Sequence, residues 1–225
     1  MNEFNDILSV LVILLGIALL ASSRIRQCIK ISAAHGLLAG IFPVLSYQEN
    51  PTISLAVSAL SVISIKAVIL PLFLLRTLKT TEVKREVEPY ISYPLSIIFG
   101  ILFFFVSILI AREIAVTVNR SSFLSVSASL SAILTGLFII LSRKKAITQI
   151  IGYIVFENGI YLLGGATMQH HGVILELGIL LDILALIFIM GVAVFHISET
   201  FDHIDIDKLS LLDDSIKKEG TSEHA

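Results

Sequence analysis

The sequence predicts an all-α integral membrane protein of seven transmembrane helices, with the N-terminus outside and the C-terminus in the cytoplasm. Three observations predict it. Hydrophobic residues make up 56% of the 225 positions and charged residues only 15%, with a mean hydropathy of +0.92. A soluble domain carries about a quarter charged residues. The apolar residues fall in continuous runs, each near the roughly twenty helical residues that cross about 30 Å of hydrocarbon, rather than in the ten-residue alternations of a β-barrel. Lysine and arginine are split unevenly between the two sides that such runs define, which sets orientation.

The seven runs are roughly 4–22, 27–45, 53–75, 91–111, 122–141, 147–166 and 173–197. The first is not a secretory leader by its pattern. Met1-Asn-Glu-Phe-Asn-Asp6 holds no cation, while Arg24, Arg26 and Lys30 follow the run, the reverse of a signal sequence. It is read as a retained helix. Twelve of the sixteen basic residues fall on one side: Arg24 and Arg26, then Arg76, Lys79, Lys84 and Arg85, then Arg143 to Lys145, then Lys208, Lys217 and Lys218. The opposite loops hold only Arg112 and Arg120, and Lys30 and Lys66 lie within runs. By the positive-inside rule the first side is cytoplasmic. With no tryptophan in the chain, Tyr47, Tyr90 and Tyr93 are the candidates for the interfacial belt.

Pro43 and Pro94 sit near run ends, where they cost little, but Pro71 lies inside the third run and should bend it. Residues 76–90 form the longest inner connection, either a solvated loop or a short surface helix. Two ladders of small residues stand out: Ser54, Ser58, Ser61 and Ser64 in the third run, and Ser125, Ser129, Ala132 and Gly136 in the fifth. Such ladders let helices approach closely; lining a hydrated path is the alternative. After Ile197 the chain carries eight acidic residues against three basic, a cytoplasmic tail with little apolar periodicity. The chain thus divides into a four-helix region, 1–120, a three-helix region, 121–197, and the acidic tail, 198–225.

Function is sought where charge enters the apolar runs. An ionised side chain at mid-bilayer costs roughly 3 to more than 10 kcal/mol, so it faces the bundle interior and marks a candidate site. At 1.5 Å per helical residue, Glu157 lies about 18 Å from the cytoplasmic edge, Lys66 about 15 Å, His35 about 13 Å and Asp182 about 22 Å. Four ionisable groups on four helices therefore share a depth, and Glu176 lies near the outer end of the last run. Low dielectric pushes acids and bases toward their neutral forms, where each can take or give a proton near neutral pH. A row of such groups joined by water is a proton relay. The short outer connection Met168-Gln-His-His-Gly172 makes the sixth and seventh runs antiparallel neighbours, so Glu157 and Asp182 are the expected central pair. Competing readings stand beside this one. Lys66 with Glu157 or Asp182 would make a purely structural ion pair, His35 would be a packing histidine, Glu176 an outer-interface residue, and Lys30 a snorkelling cation.

Other chemistry finds no footing. A single Cys28 permits neither an intrachain disulfide nor a cysteine metal cluster, and His35, His170 and His171 lack metal-ligand spacing. No nucleotide-binding loop and no nucleophile elbow are present. The net charge of −2 sits in loops and tail and says nothing of partners; a nucleic acid is not expected.

The last three runs resemble the K-type subunit of respiratory complex I and the C-type subunit of multisubunit sodium/proton antiporters. That family shows a basic turn, an Ile-Gly-Leu-Glu-x-x-x-Asn helix, and a helix with a second mid-membrane acid. Here the turn is Arg143-Lys144-Lys145, the helix reads Ile151-Gly152-Tyr153 through Glu157-Asn158, and Asp182 takes the second acid's place. The departure is that the family's Glu follows the Gly by two residues and Glu157 follows it by five, about one turn along the helix. Over the whole chain, Glu157-Asn-Gly-Ile-Tyr161 and Glu176-Leu-Gly-Ile-Leu-Leu-Asp182, with four additional N-terminal runs, look like hydrogenase-4 component E. The resemblance implies a membrane-arm subunit of a complex-I-like energy-converting hydrogenase or formate hydrogenlyase in a prokaryotic inner membrane. Its partners would be antiporter-like membrane subunits, a heel subunit, and soluble subunits bearing iron–sulfur clusters and a nickel–iron site. The chain itself holds no ligands for those cofactors and would not be catalytic alone. A structural assembly subunit of such a complex, or a stand-alone small transporter, are the alternatives. The latter lacks the broken helices and repeats usual in carriers.

Overall fold

The computed structural model describes residues 2–46, 60–80, 87, 89–117, 123–167, 187 and 191. Apart from Gly191, all of these lie in one compact unit, Met1–Ile189. Six helices account for nearly all of them: α1 (Asn2–Ala21), α2 (Ile25–Ser46), α3 (60–80), α4 (Tyr93–Thr117), α5 (Phe123–Ser142) and α6 (Ala146–Thr167). Five contain a stretch long and apolar enough to cross a membrane: Phe4–Ala21, Leu60–Leu78, Tyr93–Ile114, Phe123–Ser142 and Ala146–Thr167. The chain is all-helical and has the make-up of a multi-pass membrane protein. Of the seventh run, 173–197, only Ile187 and Gly191 are described; Glu176, Asp182 and the acidic tail lie outside the described residues.

The sixth helix, α2, has the length to span, 22 residues, but is less apolar, holding Arg26, Gln27, Lys30, Ser32 and His35. Its packing explains this. It is wrapped by α1, α3 and α6, so much of its surface meets protein rather than lipid. The others keep apolar outer faces, such as Ile98, Leu102, Phe105 and Leu109 on α4 and Leu11 and Leu14 on α1.

Two seams of small residues set the helix spacing. Between α5 and α6, a Cβ added to Gly136 would stand 2.4 Å from the Phe156 amide nitrogen. One added to Gly152 would stand 2.9 Å from that of Ile140, and one added to Gly159 would stand 2.7 Å from that of Ile133. The backbones therefore touch, which only glycine permits. The fifth-run ladder is part of this packing: Ser125, Ser129 and Ala132 are all buried, and Ser129 returns its hydroxyl to the Ser125 carbonyl at 2.6 Å. In the third-run ladder, Ser54 and Ser58 lie outside the described residues, while Ser61 and Ser64 are exposed. The second seam, Gly36 and Gly40 on α2, meets α3 at Lys66 and Ile63. This Gly-x-x-x-Gly pair is a helix-association signal legible in the sequence, and it was not singled out there.

Pro71 is buried in α3 and is preceded by a π-helical turn, Ser64–Ile69, closed by a bond from the Leu70 amide to the Ile65 carbonyl. A proline ring clashes with the carbonyl four residues back, here Ala67, and removes one amide. Widening the preceding turn is a known way to absorb such a defect. The helix then continues to Thr80, so the first part of the inner connection expected over 76–90 is helical.

On the side of the basic turn, Arg143 is only 2% exposed. It donates to the carbonyl of Leu20 at the end of α1 (3.2 Å) and lies over the Tyr93 ring at 5.3 Å. Burial pushes its guanidinium below the ordinary arginine value, with Tyr93 and Cys28 acting against the shift. The Val87 amide bonds to the Ser23 carbonyl and the Tyr90 amide to that of Ser142, both at 2.8 Å. One end of α1, the 87–90 segment and the α5–α6 turn are thereby tied together.

Candidate functional site

The site begins with the unusual turn in α3. The π segment carries Lys66, 1% exposed, and Gly36 lets that backbone sit against α2: a Cβ on Gly36 would stand 2.9 Å from Lys66 Cβ and 3.0 Å from its carbonyl oxygen. From there the Lys66 ammonium reaches α6, where it forms an ion pair and hydrogen bond with Glu157 Oε1, itself 1% exposed. Tyr161, one turn along α6 from Glu157, places its ring centroid 5.4 Å from Lys66 Nζ. That is within cation–π range. The ammonium is thus held by a carboxylate and the face of an aromatic ring.

His35 precedes Gly36 on α2, is 1% exposed, and lies within electrostatic reach of Lys66. Neither ring nitrogen has a hydrogen-bond partner among the described residues. The packing-histidine reading expects a satisfied ring; among the described residues neither the donor nor the acceptor of this imidazole is taken. Asn158, next to Glu157 and fully buried, likewise has both amide atoms unpartnered among the described residues.

Of the residues expected to form the site, the structure brings Lys66 and Glu157 into contact and sets His35 beside them. Asp182 and Glu176 lie outside the described residues, and with them the expected pairing of Glu157 with Asp182. Tyr161 and Asn158 were not reached by the charge-based reading. The signal for Tyr161 was its spacing, four residues after the acid and so on the same helical face. No three His, Cys, Asp or Glu side chains among the described residues group as metal ligands.

An ion pair in this setting has a specific chemical capability. Transfer of one proton from the ammonium to the carboxylate converts two opposite charges into two neutral groups with no heavy-atom movement. In low dielectric the two states are brought closer in energy, because desolvation penalises the charged one. The neighbouring His35 imidazole, with both ring nitrogens unpartnered among the described residues, is the next group that a proton path through this pair would meet. The same pair, left undisturbed, would serve equally to lock α3 against α6.

The chain is 26% identical over 196 residues to an uncharacterized protein, Rv0085, of Mycobacterium tuberculosis, an alignment covering 84% of this chain and 87% of that protein. No family model matches the chain, and no solved structure matches it.

Proposed function

We propose that this chain is a membrane-arm subunit of a complex-I-like energy-converting hydrogenase or formate hydrogenlyase, and that its buried ionisable groups form part of a proton or sodium-ion relay. The observation that carries the reading is the Lys66–Glu157 pair, buried among α2, α3 and α6 with His35 beside it. The resemblance of the Glu157-Asn-Gly-Ile-Tyr161 and Glu176-to-Asp182 strings to hydrogenase-4 component E supplies the kind of complex. In this reading seven helices span a prokaryotic inner membrane with the C-terminus inside, and Asp182 extends the relay from the seventh. Redox chemistry belongs to partner subunits with iron–sulfur and nickel–iron centres; this chain contributes the ion path. Antiporter-like and heel subunits would flank it.

The second reading, a structural assembly subunit, is favoured by one observation of its own: Lys66 and Glu157 neutralise each other and join two helices. Mass spectrometry of the mildly solubilised, affinity-tagged chain tests membership in the complex. The expected result is co-purification of antiporter-like membrane subunits and iron–sulfur proteins. A monodisperse chain that transports ions by itself would overturn it.

A further inference from the structure

A cleft of about 600 Å³ opens between α2 and α3, lined by Arg26, Gln27, Lys30, Leu72, Leu75 and Arg76. Among the described residues that line it are three cations and no acid. We infer that this cleft holds the headgroup of an anionic phospholipid, with its acyl chains lying against the exposed apolar side chains beyond it.

The register of the two helices places the charges. Gly36 packs against Lys66 and Gly40 against Ile63, so α2 and α3 run antiparallel. Continuing that pairing toward the basic end sets Lys30 about level with Leu72 and Arg26 about level with Arg76. Arg26 and Arg76 thus start from about one level on opposite walls, with Lys30 about one turn deeper. Arginine offers a planar fork suited to phosphate oxygens, and lysine a point charge on a long apolar stem that lies along lipid while its head stays at the interface.

Beyond the cleft both helices expose large apolar side chains. From Leu72, 58% exposed, the α3 wall continues through Ile69, 39% exposed, while the α2 wall continues to Leu37, 41% exposed. Cations at the interface and aliphatic side chains behind them match a phospholipid along its length; a free anion would use only the first part. Basic pockets between membrane helices on the cytoplasmic side are suited to anionic headgroups, and that leaflet carries the anionic lipid. The site lies apart from the buried pair and does not depend on the relay.

Labelling with photoactivatable lipid tests this. The full chain is reconstituted in phosphatidylcholine vesicles containing a trace of either a phosphatidylglycerol or a phosphatidylcholine analogue with a diazirine in the acyl chain. Adducts are then mapped by peptide mass spectrometry. The expected result is labelling of the Ile69–Leu75 peptide by phosphatidylglycerol about fivefold or more above phosphatidylcholine, the discrimination expected of a single cation near an anionic lipid. Unlabelled phosphatidylglycerol should compete and inorganic phosphate should not, and Arg26→Gln with Lys30→Gln should lower labelling by a similar factor. Equal labelling by the two lipids, full competition by inorganic phosphate, or unchanged labelling in the double variant would overturn the proposal. Should the variant fail to reconstitute, the comparison of the two lipids on the native chain decides alone.

Discussion

Glu157 and Lys66 form a contact that opposite charges make and like charges forbid. Glu157→Lys would set two ammoniums together in the bundle interior. Breaking a buried pair costs about 3–5 kcal/mol through the charge left behind, and adding repulsion exceeds that. The variant should fail to accumulate in membranes, and the swap Lys66→Glu with Glu157→Lys should recover much of the level, both read by immunoblot. Normal accumulation of the single variant would mean that the pair is not formed. At this scale the sequence was informative, because a charge inside an apolar run cannot hide. Lys66, Glu157 and His35 were all legible as buried, and their common depth follows from counting. Which acid Lys66 meets was not legible. Depth is a property of one helix, whereas azimuth depends on how helices rotate against each other, here through Gly36 and a π turn. Arg143 shows the opposite limit: a basic turn reads as solvated charge, yet this arginine is buried against Leu20 and Tyr93.

Helices α5 and α6 meet backbone to backbone, so glycine there is a spacing requirement. Gly136→Val would force its side chain into the Phe156 backbone. Overpacking a tight contact costs about 1–3 kcal/mol or more, and the two helices would have to separate. A lowered unfolding temperature in detergent is expected, with little change for Leu141→Val, 78% exposed on α5, as the control. The fifth-run ladder was visible as small residues at helical spacing, and the structure shows it buried in a packing seam. The π turn before Pro71 was only half visible. Proline announces a defect, but whether the helix bends or widens depends on the neighbour, and here Gly36 leaves room for the Lys66 backbone.

For the molecule as a whole, the five helices among the described residues that are apolar enough to span, with the basic turn between α5 and α6, lead to a definite sidedness under the proposed topology. Lys144 is exposed beside the Tyr90 ring, and Cys28 is buried. Lys144→Cys should therefore react with a membrane-impermeant maleimide only after the cells are opened; labelling in sealed cells would invert the topology. Length and composition made α1, α2, α5 and α6 legible to within two residues, while α3 runs five residues past its expected end and α4 six past its own. The assembly was legible only through resemblance, because a face that meets lipid and a face that meets another subunit are built from the same apolar side chains.

If Glu157 exchanges protons during turnover, as proposed, the decisive measurement is proton translocation per electron in vesicles bearing Glu157→Gln, alongside subunit content by gel. Glutamine keeps the shape and a hydrogen bond to Lys66 but carries no titratable proton. The complex should assemble normally while translocation falls to about a tenth or less, about 1.4 kcal/mol or more in the coupled step. Loss of the assembled complex would instead assign the pair to structure, by stranding Lys66. Full translocation by a normally assembled Glu157→Gln complex would contradict the relay outright.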